Sequence, residues 1–373
     1  MKNKWMQWMM VLALVAAFVL GSVGVAAAET DGGAVYTLTN SAAGNAVVIF
    51  NRAVDGSLTA AGSVATGGLG TGAGLGSQGA LALSANHQWL FAVNAGSNEV
   101  SVLAVSDNGL ALVDKVASGG EHPVSITNYK NIVYVLNAGG SGNITGFTQG
   151  TDGHLTPLAN STRDLSNGGV GAAPGPAQVS FGPDGDVLVV TEKATNLIDT
   201  FAVDDNGVAG NVTTHPSAGV TPFGFAFTKR GTLVVSEAAG GAANASSASS
   251  YAVSADSFAL ISAVVPTYQT AACWVVVTKN GKYAYTTNAG SGSIGAYDVS
   301  KDGTLTLLNG QAGLTGAGST PIDAAVSGNS QYLYTLNAGA HTITGFGVNS
   351  DGSLNAIGGV SGLVAGAAGL AAR

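Results

Sequence analysis

Apolar residues alternate with small or polar ones along most of this chain, in short runs separated by turn residues. The clearest phrase is residues 283–305, YAYTTNAGSGSIGAYDVSKDGTL. It reads as strand, Asn288-Ala-Gly turn, strand, Asp302-Gly turn, strand, because a period of two marks half-buried strands and Asn, Asp and Gly tolerate the positive φ of tight turns. The phrase returns around Asn94, Asn137 and Asn337, and in altered form around Asn40, Glu192 and Glu237, which makes seven copies. Four copies carry a strict Asp-Gly-x-Leu, beginning at Asp55, Asp152, Asp302 and Asp351. Each copy from the second onward extends backwards to an earlier strand, as in Pro176–Phe181 before the turn at Asp184-Gly185. Four antiparallel strands per repeat is the unit of a β-propeller blade.

The expected fold is all-β, a seven-bladed propeller with almost no helix after residue 28. Blades two to seven should begin near Gly79, His122, Pro176, Pro222, Ala272 and Pro321. Blade one starts at Val35 with only three strands, and residues 366–373 resemble the missing one. The C-terminal strand should therefore pair into blade one and close the ring, which removes two open sheet edges. Antiparallel order then brings the lead-ins to the innermost strands and the turns between second and third strands onto one face, called the top here. The Gly/Ser-rich stretches 65–79, 159–175, 239–250 and 309–319 should border it, and loops on a rigid scaffold are where function concentrates.

Composition narrows the picture. Of 373 residues only 9% are charged and 56 are Gly, which suits a turn-rich β protein. Residues 1–28 read as a signal peptide: Lys2 and Lys4, an apolar stretch, then Ala26-Ala27-Ala28. The domain is then 29–373, secreted or periplasmic, with no membrane association after cleavage. Loss of Lys2 and Lys4 takes the bases from 13 to 11 against 21 acids, a net charge near −10 that excludes nucleic acid as a partner. Cys273 is the only cysteine, so no internal disulfide forms.

The chemistry is less clear. The Asn-Ala-Gly turns are either turn chemistry or ligands around a channel. A turn does not need Glu, so Glu192 and Glu237 are the catalytic candidates, as acid and base. Gln178, Gln269, Asn288 and Asp323, with Trp274 as an apolar platform, are the candidate ligand-binding residues. Acids, amides and an aromatic suit a small neutral ligand such as a sugar or lactone better than an anion. The five histidines show no metal-ligand spacing, and no cofactor is expected. Gly74-Leu-Gly-Ser-Gln-Gly79 matches a dinucleotide fingerprint by letters, but a strand follows where a helix is required. Cys273 next to Trp274 reads as a small buried residue. A monomer is expected.

The blade pattern with its Asp-Gly-x-Leu turns resembles the seven-bladed propeller lactonases, the family of propeller-type 6-phosphogluconolactonases and carboxy-cis,cis-muconate lactonizing enzymes. That resemblance implies a lactonase, and a site with a His in a Pro-x-His lead-in and an Arg-His pair after Pro ahead of a Glu-bearing turn. Here the first position is Pro176-Ala177-Gln178 and the second Pro222-Phe223-Gly224, while the glutamate is kept as Glu237. Only Arg163 and Lys193 are top-face cations. The expectation is therefore a lactonase-family propeller that hydrolyses or only binds a neutral sugar lactone or carbohydrate, with little or no turnover of 6-phosphogluconolactone. The alternative is a non-catalytic binding or surface-interaction propeller.

Overall fold

Each copy of the repeat forms one antiparallel sheet in the computed structural model, which describes residues 32–373. The expected leader lies outside these residues. The innermost strands are Leu81–Leu83, Pro123–Tyr129, Pro176–Phe181, Pro222–Phe227, Ala272–Val277 and Pro321–Val326 for blades two to seven, close to the expected starts. Blade one consists of Ala368–Ala372, Gly33–Leu38, Ala46–Arg52 and Leu58–Ala65, in that spatial order. The C-terminal strand thus closes the ring, with Val35 opposite Ala372 and Thr37 opposite Leu370. Innermost strands of successive blades pack against each other all the way round. Among the described residues the only helix is a 3₁₀ turn, Ala239–Gly241.

Two expected insertions are partly strand. Ser247–Ser254 and Leu305–Leu314 continue their blades despite Gly- and Ser-rich sequence, because backbone ladders form without apolar side chains. Blade three is the irregular one. Its outer strand splits into Leu155–Pro157 and Arg163–Asp164, and between them Ser161 Oγ takes over the ladder by accepting from Gly146 N at 3.0 Å.

The repeat signature has a packing reason beyond the turn itself. The glycine of each Asp-Gly turn rests on the preceding blade. A Cβ on Gly153 would lie 2.4 Å from the Trp89 ring, on Gly352 2.6 Å from Tyr283, and on Gly56 2.4 Å from Tyr332. These glycines also hold positive φ, +83° at Gly56, so two constraints exclude a side chain. A buried tyrosine of the preceding blade then donates to the turn carbonyl: Tyr134 to Gly207 (2.9 Å), Tyr285 to Gly352 (3.0 Å) and Tyr334 to Gly56 (2.7 Å). The last of these spans the join between the two chain ends.

Candidate functional site

The top of the central channel is built by the lead-ins to the innermost strands. Gln178 spends its amide on the neighbouring blade: its Oε1 accepts from Phe225 N (2.7 Å) and its Nε2 donates to Phe225 O (2.9 Å). Gln78 does the same across the ring. Its Oε1 accepts from Val275 N (3.0 Å) and its Nε2 donates to Val275 O (2.8 Å). Blades two and six are not neighbours, so the segment 76–79 must cross the channel axis. Ser77 O accepts from Trp274 Nε1 (3.0 Å), Ser77 Oγ donates to Val124 O (2.8 Å), and Gln78 N donates to Ala177 O (3.0 Å). Gly76 and Gly79 flank the bridge with φ of +59° and +80°, a backbone that few other residues adopt. Gly224 makes room for it: a Cβ there would stand 2.1 Å from Gln78 Oε1.

Beside the bridge sits Lys193, on the top turn of blade four. Its Nζ donates to Gly76 O and lies 4.7 Å from the centre of the Phe223 ring. Phe223 in turn packs on Trp274, with ring centroids 4.9 Å apart. Burial pulls the Lys193 amine down to about 8. Burial pushes the Cys273 thiol up to about 12, so it stays protonated and is a poor nucleophile. Arg163, expected as the other top-face cation, lies instead on the outer edge of blade three and is committed to backbone carbonyls of Gly210, Asn160 and Thr162.

The turn residues face toward the third strands. Asn94 Nδ2 donates to Ser101 Oγ (2.8 Å), Asn337 Nδ2 to Thr344 Oγ1 (2.8 Å), and Asn288 Nδ2 to Ser293 Oγ (3.1 Å). Glu237 replaces such an amide with a carboxyl that accepts from Gly219 N (3.0 Å) and Ser247 Oγ, and burial raises its pKa against those bonds. Glu192 accepts from Ser166 N (3.1 Å), Ser166 Oγ (2.6 Å) and Thr195 Oγ1 (2.6 Å), which anchors the turn that carries Lys193. Both glutamates are fully buried.

Blade four adds an acid beneath Glu192. Asp199 is fully buried, and neither of its oxygens finds a donor in ordinary geometry. Burial first, then the neighbouring Glu192 carboxyl, raise its pKa well above the carboxylate range. Asp199 therefore holds its own proton in the folded chain, and it stands where blade two uses the Ser101 hydroxyl. A raised folded-state pKa means that the folded chain binds the proton that the unfolded chain releases. The resulting stability is fully present below the ordinary aspartate value, near 4, and is lost as pH rises through the folded value. Asp199→Asn supplies a permanent donor. We expect it to raise Tm at pH 8 by a few degrees, the shift that ~1 kcal/mol brings, and to give no gain at pH 4. Parallel melting curves across this range would show that Asp199 carries no such proton.

The seven sequence candidates therefore fall into three places. Gln178, Trp274 and Asp323 lie on innermost strands. Asp323 is buried beside the closing strand, its Oδ1 accepting from Ala324 N (2.8 Å), and burial pushes its pKa well up. Glu192, Glu237 and Asn288 end second strands and bond outward. Gln269 lies on the connection between blades five and six, paired with Gln311 (3.1 Å). Gln78 and Asp199 were missed. Gln78 was hidden in the discounted glycine-rich stretch, whereas Asp199 left a signal, a lone acid inside the strand Leu197–Ala202.

A closed ring of seven antiparallel sheets defines a seven-bladed β-propeller. The family model for lactonase, 7-bladed beta-propeller, matches residues 26–166, 141–262 and 240–361, and the chain belongs to that family. Among solved structures it is similar to a candidate 6-phosphogluconolactonase of Bacteroides uniformis, at 18% identity and TM-score 0.73 over 92% of this chain and 100% of that one. A Lactobacillus plantarum protein is 17% identical, with TM-score 0.72 over 92% and 99%. The periplasmic gluconolactonase PpgL of Pseudomonas aeruginosa is 14% identical, with TM-score 0.68 over 91% and 98%. At these identities the likeness is one of fold. A search of curated proteins finds no match.

Proposed function

We propose that this protein is an exported lactonase-family propeller that binds a neutral sugar-type lactone at the top face and hydrolyses it, with Lys193 as proton acceptor. The observation that carries the reading is the desolvated amine at Lys193, which rests on Phe223 beside Trp274 and reaches the channel axis. A base is most effective when its pKa lies near the working pH. Neutral Lys193 takes a proton from water as that water adds to the lactone carbonyl. The ring C–O bond then breaks and the leaving alkoxide recovers a proton, giving a hydroxy acid. Phe223 holds the Lys193 amine over its ring, and Glu192 acts indirectly by holding the Lys193 turn against Ser166 and Thr195.

The test is hydrolysis of D-glucono-δ-lactone above the uncatalysed rate. Turnover should rise with pH through about 8 as Lys193 loses its proton. Lys193→Met should lower kcat about 100-fold or more, the scale of general-base catalysis. Turnover that survives this substitution would overturn the assignment. With so acidic a chain and no second free top-face cation described, 6-phosphogluconolactone should give a kcat/KM roughly tenfold or more below that of the unphosphorylated lactone. A phosphorylated substrate that reacts as well would sink the neutral-substrate reading.

A second reading rests on the bridge itself. Ser77 and Gln78 close the channel axis with internal hydrogen bonds, which suits a non-catalytic binding propeller. Lactone binding by calorimetry without turnover would favour it.

A further inference from the structure

We propose a second ligand site, a saccharide-binding cleft on the bottom face between blades two and three. It lies between the hairpin around Ser84–Gln88, the hairpin at Tyr129–Asn131 and the turn at Gln149–Thr151. Trp89 and Tyr129, both half-buried, supply two aromatic surfaces. Amides of Gln88, Asn128 and Gln149 supply planar donors and acceptors between them. Gln149 is only 9% exposed, yet its Nε2 has no hydrogen-bond partner. A buried amide donor left unpaired is costly, and a ligand hydroxyl entering the cleft would satisfy it.

The occupant follows from charge and shape. Lys130 is the only charged residue lining this cleft, and its Nζ lies 5.1 Å from the Tyr129 ring centre. The adjacent cleft between blades three and four is lined by Asp184, Asp186, Asp204 and Asp205. Lys130 lines that cleft too, so the blade two–three cleft, which holds no acid, is the less charged of the pair. Aromatic faces stack on the C–H faces of a pyranose, and amides serve vicinal hydroxyls, which can donate and accept at once. The site faces away from the Lys193 region, so its ligand need not be the lactone.

The experiment titrates the full-length chain with cellotetraose, maltotetraose and chitotetraose, read by tryptophan fluorescence and calorimetry. At least one probe should bind saturably and shift the emission. Gln149→Met keeps the side-chain shape but removes the unpaired amide. It should weaken binding about tenfold or more, one hydrogen bond's worth, while Tm holds or rises. A fall in Tm without a change in affinity would mark Gln149 as structural and overturn the proposal. Asn128→Ala should weaken binding as well. Lys193→Met should leave saccharide binding intact, and loss there would place the ligand at the top face instead. No saturable signal with any of the three probes overturns the site.

Discussion

Removal of residues 364–373 is expected to take the protein out of solution. The deleted strand, Ala368–Ala372, is the innermost strand of blade one and pairs with Gly33–Leu38. Leu370 is buried between blades one and seven, and the Arg373 carbonyl accepts from Arg52 Nε and Nη2 at 3.1 Å each. Loss of Leu370 alone forfeits about 1.5–3 kcal/mol of apolar burial. The larger effect is topological: the ring opens at one point and exposes the edge of Gly33–Leu38 and the flanks of blades two and seven, ready to pair with other chains. Expression followed by soluble-fraction assay and thermal melting measures it. A soluble truncated chain with unchanged Tm would show that the ring does not depend on this strand.

The second large effect is expected at Gly224. The family pattern puts His here, so Gly224→His would look like a restoration of function. The structure makes it a collision. A Cβ at this position meets Gln78 Oε1 at 2.1 Å, Cys273 O at 2.7 Å and Trp274 Cα at 2.9 Å. Overpacking a filled site costs ~1–3 kcal/mol or more, and here it also pulls Gln78 off Val275 and leaves those backbone groups unpaired. We expect Tm to fall by several degrees or more, with no gain in lactone turnover. Gln78→Gly should recover part of the loss in the double variant, because it vacates the nearest clash but not the Cys273 carbonyl. Additive effects of the two substitutions would show that they do not share the space.

Much of the architecture was legible without coordinates. The Asn-Ala-Gly and Asp-Gly turns are local events whose φ requirements are written in the residues themselves, and period-two runs between them can only be strands. The count of seven, the blade starts at Pro176, Pro222, Ala272 and Pro321, and the role of residues 366–373 all follow. The site was less legible. Glu192 and Glu237 stood out because a turn does not need them, yet their partners Ser166, Gly219 and Ser247 come from segments whose approach no local rule specifies. Asp199 keeps its proton first because it is buried and then because Glu192, seven positions away along the chain, lies on the adjacent strand.

What the sequence alone determined is therefore everything of short range: strand, turn, repeat, and the need to close the ring. What only the tertiary structure decided is where long-range pairs meet. Gln78 reaches Val275 across the channel, Lys193 comes to rest between Gly76 and Phe223, and Gly224 is empty because Gln78 fills its space. These contacts join residues from different blades. Their distance is set by the closure of all seven sheets at once, and no window of the chain carries that information. The same closure turns Gly56 and Gly352 from turn residues into seats for the aromatic rings of the preceding blade.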